Sequence, residues 1–342
     1  MKTALVTGAA GFIGFHVARR LLSEGWEVVG LDSLNDYYDP TLKERRLQIL
    51  GDETGFTLIQ GKLETPGLLM DLFGTHTPDV VVHLAAQAGV RFSIEQPRAY
   101  VEANLMGTFE LLEAARAHPP AHMLLASTSS VYGANEKMPY AETDRVESQM
   151  SFYAATKKAN ESMSHSYAHL FGLPTTMFRF FTVYGPWGRP DMALFKFVSA
   201  IREGRPIDVY NHGQMRRDFT YIDDLVEGIR RLIDTPPLPV DARDGDIAPN
   251  DSLSAVAPWR VVNIGNAKPV ELGKFIEAIE TALGEAAEKN MMPMQAGDVL
   301  ATYADTGLLR DLVGEIPSTP LQDGVDAFVT WYNASFNPGA PD

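Results

Sequence analysis

Cysteine is absent from the 342-residue sequence, which excludes disulfides, thiolate metal sites and cysteine nucleophiles. Positive charge is scarce. Lys and Arg number 29 against 44 Asp and Glu, for a formal charge of −15. That balance argues against nucleic acid or an anionic membrane surface as a partner. An anionic substrate would have to be met by a few locally placed basic residues. No run approaches the roughly 18 consecutive apolar residues of a membrane span, and the apolar start at Met1–Gly8 is too short for a signal peptide. A soluble, cytoplasmic protein is expected.

What is present is an alternation. Short apolar or β-branched runs at Thr3–Thr7, Glu27–Leu31, Phe56–Gln60, Val80–Leu84, His122–Ser127 and Thr175–Phe180 read as strands. Amphipathic segments such as Phe12–Glu24, Tyr100–Ala117 and Phe152–Phe171 lie between them. Strands separated by helices predict βαβ units, hence an α/β fold with a Rossmann-type, doubly wound parallel sheet. After about Phe180 the alternation breaks down. Pro186, Pro190 and Pro206 punctuate shorter elements, and 235–258 reads as a long surface loop, followed by a strand (Arg260–Ile264) and a helix (Glu271–Leu283). The expected plan is a dinucleotide-binding domain over 1–180 and a smaller α/β substrate lobe over 181–342, with some chain crossing back.

Gly8-Ala9-Ala10-Gly11-Phe12-Ile13-Gly14 follows the first strand and opens the first helix. Glycines there allow a tight turn and close backbone approach to a pyrophosphate seated on the helix N-terminus. Asp32 ends the second strand, where a carboxylate can accept bonds from ribose hydroxyls and repel a 2′-phosphate. NAD is therefore expected over NADP. His83–Gly89 closes the fourth strand with small residues beside the expected switch point. His83 itself reads as a packed strand-end histidine, and His165 and His169 as surface or interface residues.

The chemistry is carried by Ala126-Ser127-Thr128-Ser129-Ser130-Val131-Tyr132-Gly133, followed by Tyr153-Ala154-Ala155-Thr156-Lys157. On a helix, Tyr153 and Lys157 are one turn apart on one face. A lysine ammonium beside a phenol favours phenolate, which makes Tyr153 a candidate base near neutral pH.

With these motifs the sequence resembles, over essentially its whole length, the extended short-chain dehydrogenase/reductases that act on nucleotide sugars. Within them it is most similar to the UDP-glucuronate 4-epimerases. The stretches that carry the likeness are Leu34–Pro40, His83–Arg91, Phe178–Asp191, Arg217–Asp224 and Met294–Val299. The resemblance implies a catalytic trio of Thr128, Tyr153 and Lys157. It implies a cofactor wall of Gly8, Gly11, Phe12, Ile13, Gly14, Asp32, Asn35, Leu63, Leu84, Ala85, Ala86 and Gln87, with Tyr153 and Lys157. Asn104 matches the family's structural asparagine. Arg217 aligns with the arginine on the UDP diphosphate, Asp298 with the acid on the uridine ribose, and Gln295 falls where galactose-type epimerases carry arginine. Lys62 departs from the family, which has aspartate against the adenine amino group. Relatives commonly pair two helices from each subunit, here Tyr100–Ala117 and Phe152–Phe171, so the resemblance also implies a homodimer.

Thr182 and Arg189 on one side, and Thr128, Ser129 and Ser130 on the other, could clamp a sugar C5 carboxylate with charge-assisted hydrogen bonds. This predicts C4 epimerisation of UDP-glucuronate to UDP-galacturonate through a 4-keto intermediate, with the carboxylate held against loss as CO₂. Decarboxylases of the family carry glutamate where Ser130 stands. The other readings are a UDP-glucuronate decarboxylase, a 4-epimerase of neutral or N-acetylated UDP-hexoses, which would leave Arg189 without a carboxylate partner, and a non-catalytic NAD(H)-binding regulator.

Overall fold

The computed structural model describes residues 1–294 and 300–336. Apolar runs and amphipathic segments alternate in the first half as β1 (Thr3–Thr7), α1 (Phe12–Ser23), β2 (Glu27–Asp32), α2 (Thr41–Gly51), β3 (Phe56–Gln60), α3 (Leu68–His76) and β4 (Val80–His83). Two single turns follow, α4 (Phe92–Glu95) and α5 (Pro97–Tyr100). A π-helical stretch over Val101–Met106 then runs into α6 (Gly107–Ala117). β5 (His122–Thr128), α7 (Phe152–Phe171) and β6 (Thr175–Phe180) complete this half.

The second half contains β7 (Thr182–Tyr184), α8 (Ala193–Arg202), β8 (Ile207–Tyr210), β9 (Arg216–Tyr221) and α9 (Ile222–Ile233). β10 (Trp259–Ile264), β11 (Pro269–Glu271), α10 (Leu272–Leu283), β12 (Lys289–Met292), β13 (Ala301–Thr302), α11 (Gly307–Val313) and α12 (Leu321–Phe336) follow.

Seven strands form one parallel sheet in the order β10-β6-β5-β4-β1-β2-β3. The chain leaves β1 in one direction toward β2 and β3, and later in the other toward β4, β5 and β6. The switch between β1 and β4 opens the crevice in which such sheets bind ligands. Burial on both faces explains why the strands other than the exposed edge strand β3 read as continuous apolar runs. The seventh strand comes from the second half, so the chain does cross back after residue 181. A separate core around Val198, Phe219, Phe275, Ile279 and Phe328 sits under the second lobe, where Phe219 and Phe275 stack 4.1 Å apart.

Two expectations need adjusting. Tyr100–Ala117 is not one regular helix but a π-helical stretch entering α6. There the Asn104 carboxamide accepts from the Gln87 amide at 2.8 Å and donates to the Gln87 carbonyl and to Thr156 Oγ1. The widened turn delivers this side chain between the loop after β4 and helix α7. The loop 235–258 is irregular as expected, apart from one turn at Val240–Ala242, but it is tied down. His165 meets Ser254 Oγ at 2.8 Å and His169 meets the Val256 carbonyl at 2.7 Å, so both histidines serve that loop. His83 is packed as expected, 2.8 Å from Thr7 Oγ1, with burial pulling its pKa down to about 3.

Candidate active site

The crevice is a cleft of about 1480 Å³, and every described residue predicted for the site lies in its wall. Gln295 and Asp298 lie outside the described residues. At the β1–α1 turn, Gly8 sits at φ +74°, and a Cβ on Gly14 would stand 2.0 Å from the Gly8 carbonyl oxygen. Only glycine lets the helix start this close to the strand. Gly11 precedes helix α1 as its N-cap and offers no side-chain cap, so the first-turn N–H groups are available to an anion at the positive end of the helix. The Asp32 carboxylate accepts from the Ala10 and Leu34 amides at 3.0 and 2.9 Å, which fixes it at the tip of β2. An uncapped helix start behind obligatory glycines, with a fixed carboxylate at the next strand end, fits a dinucleotide diphosphate and ribose.

Lys62 and Leu63 also line this end. Leu63 is buried close against Gly107, where an added Cβ would stand 2.7 Å from its own.

The hydroxyl cluster is built by the end of β5. Thr128 is its last residue, and its hydroxyl caps the following 3-10 turn by accepting from the Ser130 amide at 3.2 Å. This holds Thr128, Ser129 and Ser130 together at the cleft. Tyr153 and Lys157 come from α7, whose start is capped by Ser151 Oγ accepting from the Ala154 amide. Tyr153 packs edge-on against Tyr100 with centroids 6.0 Å apart.

One electrostatic expectation is corrected. Lys157 Nζ donates to the Ala126 carbonyl at 2.9 Å, and burial lowers its own pKa to about 8. Burial raises the Tyr153 phenol above its ordinary value, with the Thr128 hydroxyl and the Arg189 charge acting the other way. Desolvation is the leading effect on both groups in the free protein, and the pull toward phenolate comes from Thr128 and Arg189.

The buried ammonium has a consequence for stability. Burial brings the Lys157 pKa from its ordinary 10.5, the value of the unfolded chain, down to about 8 in the fold. Between those values the unfolded chain binds the extra proton, so stability rises with pH; below about pH 8 the folded chain carries the full penalty. Lys157→Met is expected to stabilise the fold at pH 7 by roughly 1–3 kcal/mol, less at pH 10.5, while turnover is lost. Urea unfolding at the two pH values checks this.

Helix α7 is held against the sheet by a buried pair one turn further on. Arg179 of β6 donates through Nε and Nη2 to the Glu161 carboxylate, both at 2.9 Å, and Ser127 Oγ donates to Glu161 Oε1 at 2.7 Å. Burial works against the Glu161 carboxylate, yet Arg179 outweighs it and holds the pKa below the usual range. Glu161→Gln leaves the Arg179 charge buried without its partner, and a loss of about 3–5 kcal/mol is expected in denaturant unfolding at pH 7.

Sequence reasoning missed the residues around Arg189. Its guanidinium binds Asp191 through two contacts, Nε–Oδ1 at 3.0 Å and Nη2–Oδ2 at 2.6 Å. Tyr37 Oη donates to Asp191 Oδ2 at 3.1 Å, and the Arg189 guanidinium lies 5.7 Å from the Tyr37 ring. The expectation that a neutral sugar would leave Arg189 without a carboxylate is thus corrected: Asp191 supplies one internally. Nearby, Lys43 Nζ donates to the Asn35 backbone and side-chain oxygens at 2.7 and 2.6 Å, fixing the loop after β2. The stretches Leu34–Pro40 and Phe178–Asp191 carried the signal, but no local pattern showed that they meet. Arg217 lies on β9 facing the cleft, with Nη1 donating to the Arg216 carbonyl at 2.9 Å. Among the described residues no cluster of three or more His, Asp or Glu side chains could hold a metal.

Residues 4–243 match the NAD dependent epimerase/dehydratase family. The chain belongs to that family. A probable UDP-glucuronate 4-epimerase of Rhizobium meliloti (strain 1021) is 56% identical over 335 residues, covering 97% of either chain. UDP-glucuronate 4-epimerase 4 of Arabidopsis thaliana is 44% identical, with 96% of this chain and 75% of the plant protein covered. In fold, this epimerase-family chain is similar to the Bacillus cereus UDP-glucuronic acid 4-epimerase solved with UDP-glucuronic acid and NAD. The TM-score there is 0.85 at 33% identity, covering 98% of this chain and all of the other.

Proposed function

We propose that the chain catalyses NAD-dependent C4 epimerisation of UDP-glucuronate to UDP-galacturonate with the carboxylate retained. The observation that carries this reading is the convergence, in one cleft, of the Gly-rich turn, the Thr128–Tyr153–Lys157 group and the Arg189 arm. The high identity to UDP-glucuronate 4-epimerases supports the same substrate.

The Gly-rich turn and Asp32 would hold NAD, which when bound would supply the hydride acceptor and donor for C4. Tyr153 takes the C4 hydroxyl proton, with Thr128 sharing it; the 4-keto ring turns about its linkage to the diphosphate to present its other face, and Tyr153 then returns the proton to the C4 oxygen. Lys157, fixed by Ala126, sustains positive charge beneath the phenol. Thr182, Ser129, Ser130 and Arg189 hold the sugar carboxylate, and a firm hold keeps its C–C bond out of the alignment that expels CO₂. Arg217 takes the diphosphate, as do Gln295 and Asp298 the rest of the UDP group. In this reading residues 1–180, joined by β10, form the NAD-binding domain, and the UDP-sugar lobe is drawn from the remainder of 181–342.

The reading extends to a cytoplasmic homodimer. Exposed Met106 at the end of the π-helical stretch, Phe109 on α6, and Phe152, Leu170 and Phe171 on α7 support pairing of these segments between subunits. Among the described residues no helix is long and apolar enough to cross a membrane. Chromatography of products from UDP-glucuronate tests the proposal. UDP-galacturonate is expected, UDP-xylose would mean decarboxylation, and conversion of UDP-glucose alone would move the substrate to neutral hexoses.

A further inference from the structure

Arg46 of α2 is completely buried, outside the cleft wall, and no carboxylate among the described residues lies within ion-pair distance. Its Nη1 donates to the Ala10 carbonyl at 2.8 Å and to Tyr38 Oη at 2.9 Å. Nη2 donates to the Trp187 carbonyl at 2.6 Å, and Nε has no partner. Ala10 belongs to the Gly-rich turn, and Trp187 stands two residues before Arg189. A single guanidinium therefore joins the turn that receives the cofactor to the arm that carries the proposed carboxylate ligand.

A second tether runs in parallel. His16 of α1 lies 3.0 Å, through Nε2, from the Pro186 carbonyl, and burial pulls its pKa down to about 4, leaving it neutral with Nε2–H as donor. The two consecutive carbonyls that lead into the arm are thus gripped from the helices flanking the turn. Trp187 itself sits at φ +62°, a conformation that a bulky residue adopts only when its surroundings impose it. Phe15 of α1 and Trp331 of α12 pack against its ring at 5.4 and 5.3 Å.

A buried guanidinium satisfied by neutral oxygens is held against its desolvation penalty. An anionic diphosphate at the adjacent turn offsets that penalty and favours the arrangement in which Arg46 grips both segments. We infer that Arg46 is a positioning residue that couples dinucleotide occupancy of the Gly-rich turn to the setting of the Arg189 arm, so that the NAD-loaded chain binds the uronate more tightly. The inference rests on the proposed carboxylate role of Arg189. By linkage, the uronate must tighten NAD by the same factor.

Two measurements on the full chain, freed of bound dinucleotide, test this. In the first, hydrogen exchange of peptides spanning 185–192 is followed with and without NAD and no sugar nucleotide. Slower exchange with NAD is expected, and unchanged exchange overturns the inference without any variant having to fold. In the second, UDP-glucuronate and plain UDP are titrated against a Tyr153→Phe background, with and without NAD. NAD should tighten UDP-glucuronate at least tenfold and UDP by less than threefold. Adding Arg46→Lys, whose single ammonium cannot span both carbonyls, should cut the uronate effect below threefold and leave UDP affinity unchanged. Persistence of the full effect in Arg46→Lys overturns the inference. Binding of UDP but of no uronate under any condition would instead sink the proposed substrate, while the exchange experiment still decides the coupling.

Discussion

Tyr153→Phe is expected to lower kcat for UDP-glucuronate by roughly 10²–10⁴-fold, the range for removing a positioned acid–base group. The substitution deletes only a hydroxyl, from a ring that packs against Tyr100, so the helix and cleft should be kept. NAD and UDP-glucuronate should still bind. The loss belongs in kcat and not in KM, because the phenol acts when the C4 proton moves. Its pKa in the free protein is raised by burial, so turnover by the parent should rise from neutral toward alkaline pH and the variant should be flat. Kinetics across that range, with ligand binding measured on the same samples, check both parts. Full activity in the variant would end the assigned role.

Arg189→Ala should have an effect of similar size for a different reason. The guanidinium is bound by Asp191 and braced by Tyr37. Removing it deletes the proposed carboxylate ligand and leaves Asp191 unpaired where the uronate must sit. Truncating one member of a desolvated charge pair costs about 2–5 kcal/mol, so kcat/KM for UDP-glucuronate should fall roughly 30-fold to several thousand-fold. Plain UDP should bind as before, and UDP-galactose should be less affected than the uronate. Adding Asp191→Ala should recover part of the uronate loss by removing the repulsion. Unchanged kcat/KM for the uronate would place its carboxylate elsewhere.

The seven-stranded sheet was legible because parallel central strands are buried on both faces and appear as short apolar runs. The six first-half strands and Arg260–Ile264 were read to within a residue at each end. The cofactor turn was legible for a similar reason: Gly14 has no alternative where a Cβ would meet the Gly8 oxygen. The rest depended on contacts between distant segments. Asp191 meets Tyr37 across 154 residues and Arg46 meets Trp187 across 141, and neither pairing leaves a periodic trace. Helix α2, which supplies Lys43 and Arg46, was not among the helices read from the pattern, since its buried positions include those two charged residues. The direction of the Tyr153 shift was not legible for an energetic reason: spacing shows that a lysine lies one turn away, but the desolvation of both groups exists only in the folded wall.

The most direct test is a proton NMR time course of the purified chain with UDP-glucuronate and NAD in deuterated water. Hydride taken from C4 and returned to C4 predicts UDP-galacturonate that keeps its C4 proton, acquires no deuterium on carbon and retains its carboxylate. Deuterium at C4 or C5, or UDP-xylose in place of the epimer, would contradict epimerisation by transient oxidation at C4 with the carboxylate held.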